Sequence, residues 1–163
     1  MPMKKILWIE DNLYDGALIL AVLNEVNLAH TVRIAYDGQE VLDYRFHWRH
    51  FEGFAEKNPE VIILDLKMPK MDGKDVLKRI KTDKELMEIP VIVFTSSDEG
   101  KDVRECFDLG AEAYVVKPIS FQAFSQTVQG LGHSWPDYLG SGPLTFEDRQ
   151  AGIPLFKNLQ ATF

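Results

Sequence analysis

The 163-residue sequence predicts an α/β fold, a doubly wound, five-stranded parallel sheet in a single domain. Three observations predict it. Short β-rich apolar runs alternate with helical patterns along the chain, in βαβα order. Two of the runs, Val61 to Leu64 and Val91 to Phe94, are apolar at every position, which marks strands buried on both faces and therefore helices on both sides of the sheet. The polar residues that follow the runs stand at the carboxyl ends of the strands, where sheets of this kind bind ligands.

Taken in order, Lys4 to Ile9 reads as the first strand, stopped by Glu10 and Asp11. A helix follows over about Leu13 to Val26, with Ala17, Leu18, Ala21, Val22 and Val26 on one stripe. His30 to Ala35 is the second strand, and the second helix starts after Asp37 and Gly38 and carries Val41 and Leu42. The third strand, Val61 to Leu64, ends in Asp65, and the third helix runs from near Gly73 to Lys81 on a stripe of Val76, Leu77 and Ile80. The fourth strand, Val91 to Phe94, ends in Thr95 and Ser96. Asp98 and the acids after it open a fourth helix, closed by Gly110 in the position that favours glycine. Ala113 to Val116 is the fifth strand, ending before Lys117 and Pro118, and Ser120 caps the fifth helix.

Two segments exceed what five βα units require. Tyr44 to Pro59 is rich in aromatic and basic residues, among them Trp48 and Arg49; it reads either as an extended helix with a surface loop or as a docking patch, since such residues dominate interface energies. His47 and His50 within it have helical spacing but no third ligand, so a solvated face is expected. Beyond Trp135, Pro136, Gly140, Gly142, Pro143, Gly152 and Pro154 break any long helix or strand. The division expected is a domain over 1–135 and an extended tail over 136–163, too short and too little basic for a DNA-binding unit. In the fifth helix Phe121, Phe124, Val128, Leu131 and Trp135 repeat at alternating steps of 3 and 4. Such a stripe is most often core packing. Because it outlasts the sheet, a homodimer through this helix and the tail is expected, with the tail a possible partner arm.

Composition excludes other classes. A net charge of −7 disfavours nucleic acid, which needs a basic face to displace counterions. Ile6 to Ile9 is too short for a signal segment or a membrane span, so no membrane attachment is expected. Cys106 is the single cysteine; no intrachain disulfide can form, and a reducing cytoplasm fits.

The strand ends converge on one acidic site. Two carboxylates about 4 Å apart repel by roughly 4 kcal/mol at an effective dielectric near 20, so Glu10, Asp11 and Asp65 together require neutralisation. A hard divalent cation such as Mg²⁺ (or Mn²⁺) supplies it, and Lys117 adds a fixed positive charge. A metal, an ammonium and the Thr95 hydroxyl around one carboxylate match phosphoryl transfer, in which catalysis is mostly positioning and charge neutralisation. Asp65 is the expected nucleophile, giving an aspartyl phosphate.

The motifs Ile9-Glu10-Asp11, Leu64-Asp65-Leu66-Lys67-Met68-Pro69 with Asp72-Gly73, Phe94-Thr95-Ser96-Ser97, Gly110-Ala111 and Val116-Lys117-Pro118 stand in the order and spacing of response-regulator receiver domains. The resemblance covers about residues 4 to 134. It implies the flavodoxin-like strand order 2-1-3-4-5 and a phosphoacceptor that is not a turnover enzyme, although it assists its own phosphorylation and dephosphorylation. It also implies Mg²⁺ held by Asp11, Asp65 and the main-chain carbonyl of Lys67, with Glu10 acting through water, and phosphoryl oxygens contacted by Thr95 and Lys117. Thr95 and Tyr114 would form the switch, the hydroxyl moving toward the phosphoryl group and the ring turning inward. Lys67 and Ser97 would tune how long the phosphate lasts. More narrowly, the aromatic insertion, the Lys67 to Gly73 loop and the Phe124 to Trp135 ending resemble single-domain receivers that serve phytochrome-type histidine kinases. A sensor histidine kinase is the implied partner.

Other classes fit less well. A phosphatase of the aspartyl-phosphate class wants a second aspartate where Lys67 stands. A flavodoxin-like cofactor binder needs a phosphate loop in place of Glu10-Asp11-Asn12-Leu13-Tyr14. A phosphorylation-independent docking module has no feature in its favour, because the acidic site is complete.

Overall fold

The computed structural model describes residues 5–37, 59–69, 71–140 and 155–157. The helix expected around Val41 and Leu42, the aromatic stretch from Tyr44 with His47 and His50, and most of the tail lie outside them. The described elements run in the order β1 (Ile6–Ile9), α1 (Leu13–Asn24), a 3₁₀ turn (Ala29–Thr31), β2 (Val32–Ala35), β3 (Val61–Leu64), α2 (Gly73–Thr82), β4 (Val91–Thr95), α3 (Gly100–Asp108), β5 (Ala113–Val116), α4 (Phe121–Leu139) and β6 (Leu155–Lys157). The five expected strands are parallel and lie in the order β2-β1-β3-β4-β5, the flavodoxin-like arrangement.

Each strand alternates its side chains between two apolar layers. Leu7, Ile9, Ile62, Leu64, Val91, Val93 and Tyr114 pack with Val76, Leu77 and Ile80 of α2 and Val103 and Cys106 of α3. Trp8, Ile63, Ile92, Phe94 and Val115 pack on the opposite face with Ile19, Val22 and Leu23 of α1 and Phe124, Val128 and Leu131 of α4. Phe94 meets Trp8 edge-on at 5.6 Å between ring centroids. The all-apolar runs are thus the strands covered from both sides.

Three expectations need correction. The buried face of α1 is Gly16, Ile19, Val22 and Leu23, whereas Ala17, Ala21 and Val26 are exposed. The helix is apolar nearly all round, so periodicity has little contrast and the larger Ile19 and Leu23 take the core positions. In α4, Phe124, Val128 and Leu131 are buried in the chain's own core, and Trp135 packs partly against it. Of the stripe expected to meet a second copy, only Phe121, 61% exposed, stands free on the surface. The sheet also has a sixth strand that the sequence reading did not assign: β6 runs antiparallel along β5 with Tyr114 opposite Phe156.

The end of α4 accommodates its breakers. The backbone leaves helical geometry at Ser134, so Pro136 falls in the first turn of a new helical segment, where its missing N–H costs nothing. That segment packs against α4: a Cβ on Gly130 would lie 2.6 Å from the Tyr138 ring. Gly140, at φ +68°, ends it, its N–H donating to the Pro136 carbonyl.

Candidate functional site

The backbone ladders continue one step past the strands and carry the polar side chains with them. The Glu10 N–H donates to the Ala35 carbonyl at 2.9 Å, the Asp65 N–H to Ile9 at 3.0 Å and the Lys117 N–H to Thr95 at 2.7 Å. The carboxyl ends of β1, β3, β4 and β5 therefore meet at one level. Local sequence fixes the adjoining elements: Asn12 caps α1 by accepting the Asp15 N–H, and Asp72 caps α2 by accepting that of Lys74. Gly73 starts α2 against the loop after β3, where a Cβ would stand 2.4 Å from the Asp65 carbonyl oxygen and from Leu66 Cα. Its N–H donates to Leu66 at 2.8 Å.

Glu10, Asp11 and Asp65 each bring a carboxylate oxygen to within 4.8 Å of the others. Glu10 is fully buried and Asp65 nearly so. Burial raises the Glu10 carboxyl to about 7; the nearby Asp65 adds to the rise while Lys117 opposes it. Asp11 is also shifted upward, by burial and then by Asp65. Burial thus disfavours the charged forms of these carboxyls, and the cluster's donors are all oxygens. That donor set fits a hard divalent cation.

Lys117 joins the cluster from the end of β5. Its Nζ lies 2.7 Å from Glu10 Oε2, 3.0 Å from Asp15 Oδ2 and 3.5 Å from Asp65 Oδ2. Burial pulls the ammonium's pKa down, but Asp65, Glu10 and Asp15 outweigh it and hold the group above the usual lysine range. Thr95 is fully buried, and its hydroxyl has no hydrogen-bond partner among the described residues. A buried hydroxyl at the end of β4 without a partner is costly unless a ligand supplies one. Lys67 is exposed, its backbone N–H 3.5 Å from Asp65 Oδ1.

Tyr114 is fully buried on the α2 and α3 side, and its hydroxyl donates to the Ser97 carbonyl at 2.8 Å. Burial pushes the phenol up to about 12, so it stays a donor. Sequence reading placed Glu10, Asp11, Asp65, Thr95 and Lys117 together; the structure clusters the three carboxylates with the Lys117 ammonium, and Thr95 is the last residue of β4. Sequence reading missed Asp15, four residues after Asp11 and so one helical turn further on, and Asp102, which binds Ser97 and Lys74. A carboxylate in the first turn of a helix that starts at the site was the available signal for Asp15.

The chain matches the family described as "Response regulator receiver domain" over residues 6–129. It belongs to that family. Among its relatives, Response regulator Rcp1 of Synechocystis is 33% identical over 134 residues, covering 82% of this chain and 90% of the relative. A probable methanogenesis regulatory protein, FilR2 of Methanothrix harundinacea, is 34% identical over 131 residues, covering 80% and 82%. The solved Mn²⁺-bound form of Rcp1 is similar at a TM-score of 0.68, with 32% identity and coverage of 87% and 99%. The phosphorylated cyanobacterial phytochrome response regulator RcpA is similar at a TM-score of 0.70, with 34% identity and coverage of 87% and 98%. Single-domain phytochrome response regulators are thus close relatives. No helix among the described residues is long and apolar enough to cross a membrane.

Proposed function

We propose that this receiver accepts a phosphoryl group on Asp65 from a sensor histidine kinase of the phytochrome type and signals through a switch built on Thr95 and Tyr114. The observation that carries the reading is the Asp65 side chain, whose carboxylate lies with those of Glu10 and Asp11 in one cluster and 3.5 Å from the Lys117 ammonium. Attack by an Asp65 carboxylate oxygen on phosphorus forms the acyl phosphate, while the bond from phosphorus to the donor breaks and its electron pair leaves with the donor. Lys117 neutralises charge on the transferring oxygens, and the Thr95 hydroxyl donates to one of them. Asp11, Asp65 and the Lys67 carbonyl would hold Mg²⁺ (or Mn²⁺), with Glu10 behind them; the ion supplies charge neutralisation for the carboxylates and phosphoryl oxygens. The relative solved with Mn²⁺ and the one solved phosphorylated support both parts.

Tyr114 already occupies an interior seat on the Ser97 carbonyl, and in this reading the movement of Thr95 toward the phosphoryl group holds it there. A near-complete switch needs a differential of on the order of 5 kcal/mol between the two states. Exposed Leu13, Tyr14, Ile119 and Phe121 lie within four residues of Asp11 or Lys117 in sequence, and offer an apolar rim for the kinase. In this reading the receiver works in the cytoplasm and pairs as a homodimer.

Incubation with acetyl phosphate and Mg²⁺, read by intact mass, tests the proposal. A phosphate adduct is expected on the wild type, absent when Mg²⁺ is chelated and absent in Asp65→Asn. An equal adduct in both proteins would assign the chemistry to another residue.

A further inference from the structure

One ammonium, that of Lys117, serves three carboxylates, and they are not equivalent. Its Nζ lies 2.7 Å from Glu10 and 3.0 Å from Asp15, but 3.5 Å from Asp65. Charge-assisted hydrogen bonds of this kind are usually about 2.7 to 2.9 Å long, so the ammonium is bound chiefly to Glu10 and Asp15, and its contact with Asp65 is at the outer limit. The Nζ also stands 5.7 Å from the centre of the Phe94 ring, and the lysine side chain is only 11% exposed.

Asp15 is held in place by a closed circuit of hydrogen bonds. Glu10 Oε1 accepts the Asn12 N–H at 3.2 Å, and Asn12 Oδ1 accepts the Asp15 N–H at 3.0 Å. Asp15 Oδ2 accepts from the Lys117 ammonium, which donates in turn to Glu10 Oε2. An acid in this position of a helix often turns back to the N–H of the capping residue. Here Glu10 takes that N–H, which leaves the Asp15 carboxylate for the lysine. Asp15 lies outside every motif that carries the receiver resemblance.

We infer that Asp15 is a positioning residue for the phosphorylation of Asp65: with Glu10, it holds the Lys117 ammonium beside the phosphoacceptor but out of a close ion pair with it. The inference rests on the phosphoacceptor reading above. The physical reason is differential binding. An ammonium in close contact with Asp65 stabilises the carboxylate before attack, and that stabilisation is lost as the carboxylate oxygen bonds to phosphorus. An ammonium anchored on Asp15 and Glu10 is already in place to meet charge on the transferring oxygens. Without Asp15, the freed N–H turns to Asp65, the remaining carboxylate within reach, and the nucleophile is held back. With acetyl phosphate as donor, the Asp65 oxygen bonds to phosphorus, the bond from phosphorus to the acetate oxygen breaks, and acetate leaves with the electron pair.

The test is the initial rate of adduct formation on the full chain, at saturating Mg²⁺ and fixed acetyl phosphate, read by intact mass for the wild type, Asp15→Ala and Asp15→Asn. A thermal unfolding curve accompanies each, and rates are taken well below every midpoint. Alanine is a good helix former and Asp15 is partly exposed, so the variant keeps the fold. Asp15→Ala is expected to be slower by on the order of ten-fold, the equivalent of one charge-assisted hydrogen bond. Asp15→Asn, whose amide oxygen still accepts from Lys117, should recover most of that loss. If Asp15 serves only the helix N-terminus through its charge, both variants melt earlier while the folded proteins react at the wild-type rate, and that result overturns the inference. An asparagine variant as slow as the alanine one, or an alanine variant faster than wild type, overturns it too. Absence of any adduct in the wild type would bring down the phosphoacceptor reading itself, whereas equal rates in all three proteins would remove only the role of Asp15.

Discussion

Glu10, Asp65 and Lys117 are intelligible one residue at a time. Each follows an apolar run directly, so the sequence alone places it at a strand end, and no local feature other than charge is needed to see a site. Asp15 and Asp102 are different. Asp15 sits on a helix whose apolar pattern says nothing about which way its acids point, and it joins Lys117 across 102 positions of sequence. Asp102 reads as one of several acids opening α3, and only the fold brings Lys74 to it. Its pH signature is specific. The Lys74 and Ser97 contacts lower its folded pKa below the unfolded value, so its contribution is present above about pH 4 and fades as pH falls through the folded value. Asp102→Asn should therefore cost about 1 kcal/mol at pH 7 in urea unfolding, a partly exposed pair being worth no more than this. The difference from wild type should close as the pH is lowered toward 3; a gap that widens in acid would contradict the assignment.

At the level of elements, strands were more legible than helices for a physical reason. A strand covered on both sides must be apolar at every position, and Val61–Leu64 and Ala113–Val116 begin and end where the apolar runs do. α2 was equally clear because its polar and apolar residues separate, with Val76, Leu77 and Ile80 buried. α1 was misread because nearly every residue is apolar, which leaves packing volume rather than periodicity to choose the face. β6 was missed because three residues carry no periodic signal and the pairing depends on the edge that β5 leaves open. The element on which the site depends most is the start of α2. Gly73→Ala would push a methyl group into backbone atoms of the Asp65 loop, which cannot rotate away. It should lower stability by about 1 to 3 kcal/mol, the range for overpacking, and slow phosphorylation along with it. Wild-type stability and rate together in this variant would contradict the close seating of α2.

In the molecule as a whole, register makes the site. Ile9 pairs with Leu64, Leu64 with Val93 and Thr95 with Val116, so the residues that come next on neighbouring strands arrive side by side although up to 107 positions separate them in sequence. A one-residue slip would turn these side chains to the opposite face and scatter the cluster, and the two apolar layers oppose such a slip by burying alternate side chains on both faces. The same arrangement sets the Lys117 ammonium among the acids, 2.7 Å from Glu10 and 3.5 Å from Asp65, where it offsets part of their charge. The most direct measurement of the central claim is chemical trapping of the phosphorylated residue: after acetyl phosphate and Mg²⁺, borohydride reduces an acyl phosphate to the alcohol, and peptide mass mapping locates it. Homoserine at position 65, and only when Mg²⁺ is present, is the predicted result. Reduction at Glu10, Asp11 or Asp15, or no reduced carboxyl at all, would contradict it.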